Sequence, residues 1–350
     1  MIMKRATLLI AVVLITATLA LANAASSSGS SVYWGAGIDG KTYGYLYGGT
    51  WNNPPWDDNT WNRFESNAGK KVAILSWPNP APWVHDFNYW KTAHEKVRSR
   101  GELSLISMTS GGVALRSIAN GLYDSSLKTW AQQVAAWGHP LFLRWDWEMN
   151  GNWEPYSPGV NGNTASDYIN AWRHFHDLTA QAGASNVTWV WCPNTDPGKI
   201  YTPYSQLYPG NAYVDWTCLD GYNTGSIFTP PGWRSFATIY SSSYNTMLQV
   251  APTKPILIGE ISSEESGGSK ANWISDLLAI QLKINFPKIK ALVWFNCRCY
   301  TASVNHWWGW AIESSSSSQT AFRNAIASSY YAPGGSFGNL PLRSKIAPLP

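Results

Sequence analysis

Eight short, nearly unbroken apolar runs recur along the 350-residue chain, and longer amphipathic stretches separate them. The runs occupy residues 32–38, 71–77, 103–108, 140–147, 187–192, 216–222, 255–260 and 289–296. A strand with one wet face alternates apolar and polar residues, so a continuous apolar strand must be covered on both faces, as in a parallel sheet. Helical periodicity fills 57–68, 88–100, 125–137, 165–182, 235–250 and 270–286, with a last stretch at 319–329. Ser125 and Ser126 stand where N-caps belong, and Gly101, Gly138 and Gly183 stand where helices end. Eight strand-then-helix units in one chain of this length predict a single α/β domain, a (β/α)8 TIM barrel, over 32–331. An open doubly wound sheet would want a glycine-rich phosphate turn after its first strand. Gly35, Gly37, Gly40 and Gly44 do not form one. No internal repeat is visible. The proline-rich segment 332–350 is expected to be an extended strap or disordered.

The N-terminus reads as a targeting segment over residues 1–24. Lys4 and Arg5 precede an apolar run, and Ala22-Asn23-Ala24 fits a small-x-small cleavage site. A membrane anchor is the competing reading, but the run is short for a span and no charged stop follows it. The mature protein is therefore expected to begin near Ala25 with a Ser-rich tether (25–31), to be secreted, to act as a monomer, and to have no membrane partner. Cys192, Cys218, Cys297 and Cys299 could then oxidise. Cys297 and Cys299 are expected to be too close for an unstrained mutual bridge, whereas Cys192 with Cys218 is open. The net charge of +4 is spread without basic runs, which argues against nucleic acid. Twenty-two tryptophans and 18 tyrosines exceed what an ordinary core uses. Trp favours half-wet sites, and its flat face suits the apolar C–H surface of a sugar ring, so carbohydrate is the expected ligand.

The segment LFLRWDWEMNGNWEPYS, residues 141–157, ends an apolar run in two acids ringed by aromatics. In such barrels the chemistry lies at the C-terminal strand ends. Glu148 closes the fourth run and Glu260 the seventh, and in a ring of eight these strands face each other. Two opposed carboxylates are the equipment for glycosidic cleavage: one protonates the leaving oxygen, and the other attacks the anomeric carbon or activates water. Asp146 and Arg144 would share Glu148's face at deeper levels and are expected to form an ion pair inside the barrel. Asp39, Asp220 and Glu264 read as structural or hydrogen-bonding acids. Neither a metal nor an organic cofactor is expected.

Together with DGYN at 220–223 and PILIGEISSEESGGSKANWI at 255–274, the segment from Arg144 resembles glycoside hydrolase family 26. The resemblance implies secreted endo-β-glycanases, among them β-1,4-mannanases, β-1,3-1,4-glucanases and β-1,3-xylanases. The family's pattern of an arginine, two residues, then His-Glu-Met-Asn-Gly maps onto Arg144 and Glu148-Met149-Asn150-Gly151. It implies Glu148 as acid/base and Glu260 as nucleophile of a retaining double displacement. It also implies Tyr222 as the donor to that nucleophile, Trp294 as a sugar-stacking residue and Trp153 on the leaving-group side; Asn150 and Arg144 join the substrate-binding set. One position departs: Trp147 replaces the family's histidine. An indole adds apolar surface and cannot become charged, so Trp147 is expected to raise the Glu148 pKa by desolvation. The same departure keeps a non-catalytic carbohydrate-binding barrel open as an alternative.

Overall fold

A computed structural model describes residues 31–195 and 201–350. The targeting segment and nearly all of the Ser-rich tether lie outside the described residues. Eight parallel strands are ordered in sequence and close on themselves: β1 (Val32–Ile38), β2 (Ile74–Asn79), β3 (Leu103–Met108), β4 (Leu141–Trp145), β5 (Val187–Trp191), β6 (Trp216–Asn223), β7 (Ile256–Ser263) and β8 (Ile289–Asn296). β8 pairs back onto β1 from Tyr33↔Ala291 to Ile38↔Asn296. The expected (β/α)8 barrel is therefore formed, and β4 and β7 lie three strands apart, so their ends face each other across the mouth.

The covering helices are α2 (Asp58–Ala68), α3 (Phe87–Ser99), α5 (Asp124–Trp137), α6 (Ala165–Gln181), α8 (Phe236–Val250) and α11 (Ser316–Ile326). Three short helices were not legible as periodicity: α1 (Gly40–Tyr47), α4 (Leu115–Ala119) and α7 (Tyr204–Leu207). The expected helix over 270–286 is interrupted. An α segment, α9 (Lys270–Ser275), passes through a π turn (Asp276–Gln281) into α10 (Leu282–Ile284). That turn buries Leu277 and Leu278, and Leu282 is buried directly after it. Ser125 and Ser126 do not cap α5, which starts one residue earlier from Tyr123 without a side-chain cap. Gly138 does end α5 in the left-handed conformation, where a Cβ would be strained. Among the described residues no helix is long and apolar enough to cross a membrane.

Strand parity divides the core. Tyr33, Ile74, Leu105, Phe142, Val190 and Leu257 belong to the cluster filling the barrel, whereas Trp34, Leu75, Leu143, Trp189 and Trp294 pack between sheet and helices. Nine of the 22 tryptophans are fully buried, so much of the aromatic surplus is core rather than ligand surface. The C-terminal segment is an extended strap across the N-terminal end of the barrel. A ninth strand, β9 (Tyr331–Ala332), adds to β1. Beyond it, Ile346 O accepts from Trp216 Nε1 at 2.8 Å, and Ala347 O accepts from Tyr33 Oη at 2.9 Å. Buried Ile346 closes the interior cluster from below.

Candidate active site

The chain leaves β4 abruptly. Asp146 (φ 43°) and Glu148 (φ 54°) both take left-handed conformations, which cost a non-glycine residue about 1–2 kcal/mol each. The surroundings fix them: Asp146 N donates to Met108 O on β3 at 2.9 Å, and Glu148 N donates to Cys192 O beyond β5 at 2.7 Å. The strand periodicity that placed Asp146 beside Arg144 fails at this turn. Asp146 instead accepts from Ser110 N at 2.6 Å, and burial pushes its carboxyl well above the usual range. The expected Arg144–Asp146 ion pair does not form.

Arg144 is the charged hub of the site. It points into the barrel mouth, 1% exposed. It donates through Nη1 to Asp220 Oδ2 at 2.7 Å, through Nε to Ser107 Oγ at 2.9 Å, and through Nη2 to Glu260. Irregularities in register at Leu219/Asp220 on β6 and between Ile258 and Ile261 on β7 re-aim both acids toward it. Gly259 leaves the necessary room, because a Cβ there would lie 2.6 Å from Asp220 Oδ1 and 2.7 Å from Arg144 Nη1. Tyr222 also donates to Glu260. Burial, then the neighbouring Glu260 charge, pushes its phenol well above the usual range, so it remains a donor.

Glu148 is buried at the cleft wall. Its Oε1 accepts from Asn194 Nδ2 at 2.8 Å and its Oε2 from Trp153 Nε1 at 2.7 Å. Burial foremost, and the charge of Glu260 next, raise its pKa to about 7 against those two donors. Gly151 allows Trp153 to fold back, since a Cβ on residue 151 would collide with the indole. Glu148, Glu260, Arg144, Trp147, Trp153 and Tyr222 thus line one cleft of about 350 Å³. The Arg144 guanidinium also lies 5.2 Å from the Trp147 ring centroid.

Two expected site residues lie elsewhere. Trp294 is fully buried and donates to Trp310 O at 3.0 Å. On β8 it is Val293 and Phe295 that face the cleft, so alternation turns Trp294 toward the helices. Asn150 is also buried: its side chain accepts from Asn194 N at 2.7 Å and donates to Asn194 O at 2.9 Å. It holds Asn194, which in turn holds Glu148. Sequence reasoning missed Asn194, which follows β5 and carries no motif, and Glu154, a half-buried cleft acid whose carboxyl burial pushes up. It also missed Trp310, whose ring stacks on Tyr222 at 4.4 Å between centroids.

The other acids are structural. Asp39 caps α1, and Glu264 accepts from His306 Nε2 at 2.9 Å and Gly309 N at 2.7 Å. Cys192 pairs with Cys218, and, against expectation, Cys297 pairs with Cys299 across a Cα separation of 5.2 Å. Cys192, Cys218 and Asp220 cluster closely enough to suggest a metal. With both sulfurs in a disulfide and Asp220 paired to Arg144, the donor set is already committed.

The family model for Glycosyl hydrolase family 26 matches residues 56–266. The chain is 32% identical over 281 residues to endoglucanase H of Acetivibrio thermocellus, covering 79% of this chain and 30% of that protein. It is 29% identical over 171 residues to β-1,3-xylanase TXYA of Vibrio sp., covering 46% of this chain and 32% of that one. The chain thus spans about a third of these relatives. Among solved structures, the catalytic domain of a Bacillus sp. JAMB-750 endo-β-1,4-mannanase superposes with a TM-score of 0.63 at 18% identity, covering 92% of this chain and 93% of that one. At that identity the likeness concerns the fold.

Proposed function

This chain belongs to glycosyl hydrolase family 26, and on that premise we propose that it is a secreted, retaining endo-glycoside hydrolase acting on a β-linked polysaccharide. The observation that carries the reading is the asymmetry of the two cleft carboxyls. Glu148 is buried, with a pKa raised to about 7, which suits an acid that must hold its proton near neutrality. Glu260 receives hydrogen bonds from Arg144 and Tyr222 and so meets both as an acceptor. Glu148 would give its proton to the glycosidic oxygen while Glu260 attacks the anomeric carbon, breaking that C–O bond and forming a glycosyl ester. Glu148, now a carboxylate, would then take a proton from water as it displaces Glu260. The similarity to an endoglucanase and the Trp147 departure favour mixed-linkage β-glucan over mannan, with β-1,3-xylan the third choice.

Reducing-sugar release on barley β-glucan, lichenan, glucomannan, galactomannan and β-1,3-xylan tests the reading, with Glu260→Ala as control. Release on one substrate, lost in the control, is expected. Tight binding without release would assign the chain to carbohydrate binding instead. Secretion predicts a protein in the culture medium whose N-terminus lies near Ala25.

The pH profile carries a signed prediction. An acid works only while protonated, so kcat/KM is expected to fall as pH rises through about 7. Trp153→Phe removes a donor that favours the charged form of Glu148, and should move this alkaline limb upward. Trp147→His removes apolar cover, and should move it downward. Limbs that stay in place in both variants would reject Glu148 as the titrating acid.

A further inference from the structure

A second groove, of about 390 Å³, lies where the loop after β2 meets the first turns of α5. It shares no lining residue with the catalytic cleft. Its floor is aromatic. The His85 and Tyr89 rings stack face to face, 3.8 Å apart and 8° from parallel, and Tyr89 is 62% exposed. Beside them the half-buried Trp83 is fixed against Tyr123, with ring centroids 4.1 Å apart. The opposite wall is made of hydroxyls, from Ser125, Ser126 and Thr129. Thr129 Oγ1 donates to Ser125 O at 2.9 Å, while neither serine hydroxyl has a protein partner among the described residues. These are the two serines whose position suggested helix caps and which the helix does not use.

The charge of the groove narrows its ligand. No lysine or arginine lines it, so it holds no permanent positive charge that would favour a phosphate or a carboxylate over a neutral ligand. Asp86 is committed, accepting from Tyr89 N at 3.0 Å and from Gln133 Nε2 at 2.9 Å. What remains is a flat, exposed aromatic shelf facing uncommitted hydroxyls, in a cavity within the size range of ordinary ligand sites. An aromatic face covers apolar C–H surface, and the hydroxyls complete the hydrogen bonds of a ligand rich in O–H groups. We propose that this groove is a second, non-catalytic binding site for a neutral glycan chain, and that it holds the polysaccharide to the enzyme surface outside the cleft. The identity of that glycan rests on the glycanase reading; the site itself does not.

The test is electrophoresis of the full chain through gels containing each polysaccharide of the panel. The Glu260→Ala protein is compared with a triple variant that adds His85→Ala and Tyr89→Ala. Retardation of the first and about a tenfold weaker apparent affinity of the second are expected, a fold-change typical of losing a stacked aromatic contact. In the active background, His85→Ala/Tyr89→Ala should leave turnover of a short soluble oligosaccharide unchanged while slowing attack on insoluble polysaccharide. Equal retardation of both proteins, or none of either, would overturn the second site. The glycanase reading would stand or fall separately, on release by the unaltered enzyme. An unchanged melting temperature in the double variant shows that lost retardation is lost binding.

Discussion

Glu148→Gln should lower kcat on polysaccharide by about 10²–10⁴-fold, the usual worth of a positioned general acid, while leaving the cleft intact. The amide keeps the size of the carboxyl and offers its one oxygen to Trp153 Nε1 or Asn194 Nδ2, so proton transfer and one accepted hydrogen bond are lost. The defect should depend on the leaving group. An aryl glycoside with an acidic phenol departs without a proton, so its first step remains fast. The second step still needs a base for water, so the glycosyl-enzyme accumulates. Rapid mixing with such a substrate should therefore show a burst of phenolate followed by slow turnover. The same intermediate should appear in mass spectrometry as a sugar attached at Glu260. Slow release with no burst and no adduct would reject double displacement and point to direct attack by water.

Arg144→Met should be strongly destabilising. The guanidinium is buried between Asp220, which is fully buried, and Glu260. Removing it leaves Asp220 without its charge partner and Glu260 with Tyr222 alone, and an uncompensated buried charge costs about 3–5 kcal/mol. Denaturant unfolding should register that loss, and activity should fall with it, because Glu260 loses a donor that positions it. A second substitution separates the two effects. Asp220→Asn in the Arg144→Met background removes one stranded charge and should recover part of the stability without recovering activity. Full recovery of both would reduce Arg144 to a fold residue, and an unchanged unfolding midpoint in Arg144→Met would remove the hub role altogether.

The barrel and the two facing glutamates are legible in the amino-acid order alone. Continuous apolar runs can be buried on both faces only in a covered parallel sheet, and eight of them in order leave the fourth and seventh strands three apart, facing across the mouth. Glu148 and Glu260 followed from that counting, and so did Trp153 and Tyr222 once the motifs were matched. What failed did so where strand parity stops. Asp146 was expected beside Arg144 because residues two apart share a face, but two left-handed residues end that rule at Trp145. The resemblance puts Trp294 at the mouth, yet alternation on β8 turns it outward, and Trp310, 16 positions later, stacks on Tyr222. The resemblance implies that Asn150 touches substrate, whereas its amide pairs with the backbone of Asn194 across 44 residues of chain. Periodicity reports which face of an element is apolar. It carries nothing about where the chain turns once the element ends, or which distant backbone will satisfy a buried polar group. Only the closed barrel brings Arg144, Asp220 and Glu260 from three strands to one point, where the one guanidinium pairs with both acids.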